Sequence, residues 1–403
     1  MHYVKPSILH YRIAQAASRL VSAIVFRRKL LRNEIKGIRG PFVVIANHGA
    51  ALDFVNLIGA TSQPMSFVIS NSFYSTLPIQ GYLDKMGVIP KQQFQTTADD
   101  LKKMKAVIQN GQPLVIYPAG LMCEDGLSTP IPPATYKFLK WLDADVYVAR
   151  SQGSYFVMPK WAKGMRPGRT TMDIYRLFTR EELAQADLTT VKEKTDAAII
   201  FDSYREQEQL RIPYRKGSQL SGLEQVLYQC PGCGEEYTME AEGNILRCRR
   251  CGLTHEADKL GLLRKTAGQG PEFCHVSDWS RWIFDTLKEQ HRQAPAQPMT
   301  AATAIHMIDP KKHKFLEAGH GTVTLDGDKF LLEGTLRGEP VSLSISVAGV
   351  PTLPFSPGRY FELQQGKTIY RCVLNDGRPV MKFINTVKLR FQLSQEQRAA
   401  KTQ

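Results

Sequence analysis

Pro41-Phe42-Val43-Val44-Ile45-Ala46-Asn47-His48-Gly49-Ala50-Ala51-Leu52-Asp53 is the stretch on which the rest of the chain depends. Phe42 to Ala46 is an unbroken apolar run, dense in β-branched residues and without polar alternation, which predicts a strand buried on both faces. It ends in the polar pair Asn47-His48, and Asp53 follows five residues after the histidine. In an open α/β sheet such a strand carries its last residues to the carboxyl edge, where ligands bind. An imidazole titrates near neutrality, and with a carboxylate in reach it can take a proton from a hydroxyl. A loop histidine beside a helix-starting aspartate is the ordinary alternative.

Working outward, residues 41 to 180 alternate short apolar runs with helical patterns. Residues 42–46, 65–69, 114–117 and 146–149 predict strands, and residues 101–108 and 134–142 predict helices between them. This is an α/β layered fold around a largely parallel sheet with flanking helices. Residues 128–133, rich in proline, mark a rigid loop. Residues 181–210 are charged and helical, and the α/β domain is expected over 41–222.

Before that domain, residues 1–40 predict a basic amphipathic helix. Leu9, Ile13, Ala17, Leu20 and Ile24 recur at helical spacing, amid nine Lys and Arg and the single acid Glu34. Such a helix can lie in a membrane interface with its cations toward anionic headgroups, or dock its apolar face on the protein core. The whole chain has 403 residues, enough for two or three cores, and a net charge of +14 that favours an anionic partner. No secretory signal pattern and no run of about 18 apolar residues appears, so a soluble or peripheral protein is expected.

Beyond residue 222, Cys230-Pro231-Gly232-Cys233 and Cys248-Arg249-Arg250-Cys251 form two knuckles, each followed by a glycine, Gly234 and Gly252. Fourteen residues separate Cys233 from Cys248. This spacing predicts an inserted or appended zinc ribbon over 223–262, its four thiolates closing a tetrahedral structural site, with a redox dithiol pair as the alternative. With four of the seven cysteines so placed, a reducing compartment is expected. His255 is surplus to that shell. Residues 263–293 read as a helical segment packing on the core, 294–310 as a linker, and 311–403 as a small antiparallel β domain. In the last, residues 341–347 alternate strictly, Asp326-Gly327 and Asn375-Asp376-Gly377 are expected hairpin turns, and a short helix pattern over 383–391 closes the domain. Strand count and terminal helix resemble a pleckstrin-type fold.

Asn47-His48 with Asp53, following a buried strand, resembles the first signature of the glycerolipid acyltransferase family, which includes the lysophosphatidate acyltransferases. Three further stretches fall in that family's order. Gly87-Val88-Ile89-Pro90-Lys91-Gln92-Gln93 is similar to the second signature. Val115-Ile116-Tyr117-Pro118-Ala119-Gly120 resembles the third, and Phe156-Val157-Met158-Pro159, expected as a strand running into proline, the fourth. The resemblance implies a layered acyltransferase-type sheet. It also implies transfer of a fatty acyl group from acyl-CoA or acyl-ACP (acyl carrier protein) to a lysophospholipid-like hydroxyl. His48 would be the general base and Asp53 its orienting acid. Asn47, Lys91, Gln93, Pro118 and Gly120 would bind substrate, with backbone N–H groups around Gly120 facing the oxyanion.

Departures accompany the resemblance. Where the second signature carries an arginine this chain has Gln93, with Lys91 the nearest cation. Where the third reads Pro-Glu-Gly-Thr-Arg it has Pro118-Ala119-Gly120-Leu121-Met122. A guanidinium fork suits phosphate, and neither glutamine nor methionine supplies its charge. Either the acceptor differs from lysophosphatidate, or Lys91, Lys137 or Lys160 substitutes. Tyr155, Phe156 and Trp161 are candidates for an acyl channel or for core, and Cys123, Cys274 and Cys372 are expected to be small buried cysteines. The expected partners are an anionic membrane surface at the inner, cytoplasmic face, a lipid acceptor and acyl carrier protein. A scaffold built on a degenerate acyltransferase core, the ribbon and the β domain is the second reading. Nucleic acid is disfavoured, because the ribbon offers Arg247, Arg249 and Arg250 but only Tyr237 for stacking.

Overall fold

The computed structural model describes residues 4–402 except 62, 95, 295 and 296. Two compact units result, residues 1–160 with 164–217, and residues 161–163 with 218–403.

The first unit contains a seven-stranded sheet of β1 (Lys29–Asn33), β2 (Phe42–Ala46), β3 (Ser66–Ser70), β4 (Ile89–Lys91), β5 (Leu114–Ile116), β6 (Asp145–Gln152) and β7 (Thr171–Phe178). Helices α1 (Ile8–Ile24), α2 (Asp53–Ala60), α3 (Asn71–Ser75), α4 (Gln80–Lys85), α5 (Ala98–Gln109), α6 (Ala134–Leu142), α7 (Ser154–Val157), α8 (Arg180–Gln185), α9 (Leu188–Ile199) and α10 (Ser203–Leu210) surround it. Strand order is β1-β7-β6-β2-β5-β3-β4, parallel at every pairing except β6 with β7. β2 lies between β5 and β6, and all five of its residues are buried. Val43 and Ile45 pack with Met104, Leu139 and Val191 from α5, α6 and α9. Phe42, Val44 and Ala46 pack on the opposite face with Tyr11 and Leu57 from α1 and α2. Helices on both faces are why this strand carries no polar alternation.

The amino-terminal helix is shorter than the 1–40 expectation. It stops at Ile24, and Lys29–Asn33 becomes an edge strand paired in parallel with β7. Edge pairing depends on a partner some 140 residues away, which local periodicity cannot reveal. α1 docks by Tyr11, Ser18 and Ser22, with Tyr11 Oη 3.0 Å from Thr61 Oγ1. A Cβ on Gly59 would stand 3.3 Å from Arg19 N, so α2 crosses α1 closely. The apolar stripe Ile8, Leu9, Ile13, Leu20 and Ile24 faces outward, each residue 55 to 66 % exposed. At the fourth resemblance, residues 154–157 form a helical turn rather than a strand, with Phe156 inside a cluster of Tyr155, Tyr204 and Tyr214. Tyr155 and Phe156 are core, and Trp161 is buried and belongs to the second unit.

The second unit opens with a ribbon of β8 (Met239–Glu242), β9 (Ile245–Cys248), β10 (Thr254–Ala257) and β11 (Leu263–Ala267), in order β11-β10-β9-β8. Residues 263–267, expected to begin a helical segment, are therefore the fourth strand, because β10 offers them an antiparallel partner. α11 (Val276–Gln293) packs on the ribbon through Trp279, whose Nε1 donates to Gln229 O at 3.0 Å and whose ring lies 5.0 Å from His255. Most of the stretch expected as a linker is also strand, since β12 (Met299–Asp309) pairs with two neighbours, while residues 295 and 296 lie outside the described residues.

β12 leads a seven-stranded antiparallel sheet with β13 (Lys314–Asp326), β14 (Lys329–Leu336), β15 (Glu339–Ser346), β16 (Phe355–Ser356), β17 (Tyr360–Gln365) and β18 (Thr368–Leu374), in order β15-β14-β13-β12-β18-β17-β16. α12 (Val380–Thr402) closes on it, Phe383 meeting Phe330 and Phe361 at 6.0 and 5.3 Å. Asp326-Gly327 is a hairpin turn with Gly327 at φ +52°. Residues 375–377 instead turn β18 into α12. Gly377 is required there, because a Cβ would fall 1.9 Å from Gly358 O.

Candidate functional site

β2 ends on its two buried neighbours, and the first residue past it is fastened at once. Asn47 Nδ2 donates to Ser151 O at 2.7 Å, and Ser151 N–H donates to Asn47 Oδ1 at 2.7 Å. Both amide groups are used in joining the ends of β2 and β6, so Asn47 positions the next residue. That residue, His48, is 21 % exposed at the carboxyl edge, with Nδ1 3.3 Å from Asp53 Oδ2. Asp53 is the first residue of α2 and is buried. Its Oδ2 accepts the N–H groups of Gly49 at 2.7 Å and Ala50 at 2.8 Å, which hold the loop and the carboxylate in one geometry. Its Oδ1 is buried without a hydrogen-bond partner among the described residues. With Nδ1–H directed at Asp53, Nε2 of His48 is left as an acceptor.

The ring of Tyr117, from the end of β5, lies 4.7 Å from that of His48. Burial raises the Tyr117 phenol well above its usual range, and the Asp53 charge adds to the effect, so the ring stays neutral beside the histidine. Sequence reasoning did not single out Tyr117 or Ser151. Tyr117 precedes Pro118 in the third signature, whereas no local signal marks Ser151. A depression opens beside Asn47 and His48, walled by Ala119, Thr129, Ile131 and residues 199–201. Its two sides are tied together by Ser128 N–H to Phe201 O at 3.0 Å and Phe201 N–H to Ser128 Oγ at 2.8 Å.

The remaining expected substrate residues fall on neighbouring carboxyl ends. Pro118 and Gly120 follow β5, and Lys91 ends β4. Gln93 Nε2 donates to Gly120 O at 2.7 Å, which joins the second signature to the third. Gly120 sits at φ +71°, and its N–H donates to Tyr117 O at 2.9 Å. That N–H is engaged in the turn. Lys91 Nζ donates to Gln92 O at 3.0 Å, and burial lowers its pKa. Lys137 is exposed on α6. Cys123 is buried, with Sγ 3.9 Å from Gly49 O, and burial raises its thiol well above the usual range, as expected of an inert cysteine. Cys372 is buried too, whereas Cys274 is exposed, in the loop between β11 and α11.

In the second unit the sulfurs of Cys230, Cys233, Cys248 and Cys251 all lie within 4.8 Å of one another. Cys230 and Cys251 are 3.6 Å apart, and Cys233 and Cys248 3.8 Å. Thiolates about 2.3 Å from a tetrahedral ion stand about 3.8 Å apart, so the donor set fits such an ion with no open position. Each knuckle turns on its glycine: Gly234 N–H donates to Cys230 O at 2.9 Å and Gly252 N–H to Cys248 O at 3.1 Å, both glycines at positive φ.

Residues 27–157 match the family model described as Acyltransferase. No curated protein matches the chain. Among solved structures, the 1-acyl-sn-glycerophosphate (LPA) acyltransferase PlsC from Thermotoga maritima aligns with a TM-score of 0.39 at 14% identity, over 47% of this chain and 75% of that one. The matched segment starts just after α1, runs through α7, and contains β2, His48, Asp53 and the first three signature stretches. Residues 27–157 are thus an acyltransferase-family domain, in a chain that continues into a four-cysteine ribbon and a seven-stranded antiparallel sheet.

Proposed function

We propose that the first unit is an O-acyltransferase that moves a fatty acyl group from acyl-CoA or acyl-ACP to the hydroxyl of a lysophospholipid or related lipid. The observation that carries this reading is the His48–Asp53 pair, held at the carboxyl end of β2 by two backbone N–H groups, inside an acyltransferase-family domain. Nε2 of His48 accepts the hydroxyl proton as the oxygen attacks the thioester carbonyl. Asp53 stabilises the imidazolium. Collapse of the tetrahedral intermediate breaks the C–S bond, and the departing thiolate takes the proton back from His48. No covalent enzyme intermediate is required.

Two accessory roles belong to the same reading. The ribbon holds a structural zinc ion that folds the second unit and takes no part in transfer. The exposed stripe of α1, flanked by Arg12, Arg19 and Arg27, rests on an anionic membrane surface and brings the site to its lipid acceptor. The test is incubation of purified protein with labelled acyl-CoA or acyl-ACP and a panel of hydroxylated lipids. Lipid acylation should appear and should fall by about 10²–10⁴-fold in His48→Ala. Transfer undiminished by that substitution would remove the histidine from the mechanism.

A further inference from the structure

The described residues form three sheets with six edge strands, and five of these edges carry a device that discourages a further strand. β1 bears Lys29 and Arg32, and its register with β7 is broken between Leu30 and Arg32. β4 has three residues, one of them Pro90. In the ribbon, β8 presents Glu240 and Glu242, and β11 presents Arg264 and Lys265. β16 is two residues long and lies between Pro354 and Pro357. β15 differs from all of these. Its eight residues pair with β14 without a register shift, and residues 340–358 contain no charged side chain.

The turn joining β14 to β15 fixes which way the backbone groups point. Arg337 and Gly338, both at positive φ, form a two-residue loop closed by the pair Leu336 and Glu339. Counted from that pair, the odd-numbered residues of β15 bond to β14, and Val347 N–H keeps the phase by donating to Asp328 O at 2.8 Å. Ser342, Ser344 and Ser346 therefore direct their N–H and C=O groups away from the sheet. Among the described residues these groups have no hydrogen-bond partner, and all three serines are exposed. The strand is also complementary to itself. In an antiparallel pair about a two-fold axis at Ser344, Ser342 meets Ser346, Ser344 meets its own copy and Leu343 meets Ile345. Apolar then faces apolar, hydroxyl faces hydroxyl, and no like charges oppose each other. A slip of one residue would set Leu343 against Ser344.

We infer that β15 is a dimerisation edge, and that its occupant is β15 of a second copy of this chain. This stands independently of the acyltransferase reading. The test is sedimentation equilibrium of the full chain over about 1–100 µM, the range that suits an interface below about 1,200 Å². The mean mass should rise with concentration from 45.4 kDa toward twice that value. Ser344→Pro removes an outward N–H without touching the ladder to β14, as an edge strand tolerates. Ser344→Lys keeps the N–H but sets two ammonium groups against each other at the axis. Each substitution should raise the dimer dissociation constant about tenfold or more. At a concentration where all three proteins are monomeric, the variants should unfold at the same temperature as the unmodified chain. A monomer throughout the range overturns the inference. So does a dimer that both variants leave intact, because its contact then lies on another surface.

Discussion

Asp53 accepts two short backbone N–H bonds on Oδ2, while His48 approaches the same oxygen at 3.3 Å. Asp53→Asn keeps one oxygen that can accept both of those N–H groups but cannot stabilise an imidazolium. Transfer should fall by about 10²–10⁴ in kcat, with KM for the acyl donor little changed, as read by steady-state kinetics. A second single-residue prediction concerns His255, buried behind Trp279. Burial lowers its pKa to about 4 from an ordinary 6.5. The unfolded chain therefore binds more protons between those values, so the neutral ring's contribution is intact above pH 6.5 and is lost as pH falls toward 4. The loss amounts to about 3 kcal/mol across that window. Denaturant unfolding of the protein and of His255→Gln at matched pH isolates it, because acid release of metal from the ribbon is common to both. The stability difference between the two should narrow on acidification, and a pH-independent difference would contradict it.

At the scale of elements, α1 is amphipathic with its apolar stripe turned away from the core, the small and polar positions Ser18 and Ser22 making the dock. No described helix is long and apolar enough to cross a membrane. Replacing Leu9 and Leu20 by aspartate removes exposed leucines that contribute little to folding. The midpoint of thermal unfolding should hardly move, whereas co-sedimentation with vesicles containing anionic lipid should drop by about tenfold or more, and binding by the unmodified protein should weaken with salt. Binding that survives both changes would assign the membrane contact to another element.

At the scale of the molecule, the four cysteines share a unit with α11 and the terminal sheet, while His48 lies in the other unit. Removing the metal should therefore destabilise one unit and spare the chemistry of its neighbour. Scanning calorimetry is expected to show two transitions, only one of which moves down on treatment with a chelator. The chelated protein should keep His48-dependent thioester turnover below that lowered transition. Immediate loss of turnover with both transitions unmoved would place the ion in the active site.

Much of this was legible from local pattern alone. An unbroken apolar run specifies a strand with both faces covered, and β2 has helices on each side. The paired Cys-x-x-Cys spacing specifies four sulfurs around one point, and they are there. Period and spacing record which faces a backbone segment buries and what its neighbours along the chain can reach. Partners brought together by folding are not recorded that way. β1 and β11 became strands because a sheet edge was available to them, and β12 because it found a partner on each side. Asn47 became a brace because Ser151, 104 residues on, presents both a donor and an acceptor to it. The histidine and its acid were therefore determined by the sequence, whereas the wall beside them came from residues 199–201, which the hydrogen bonds of Ser128 and Arg150 hold only once the sheet has assembled.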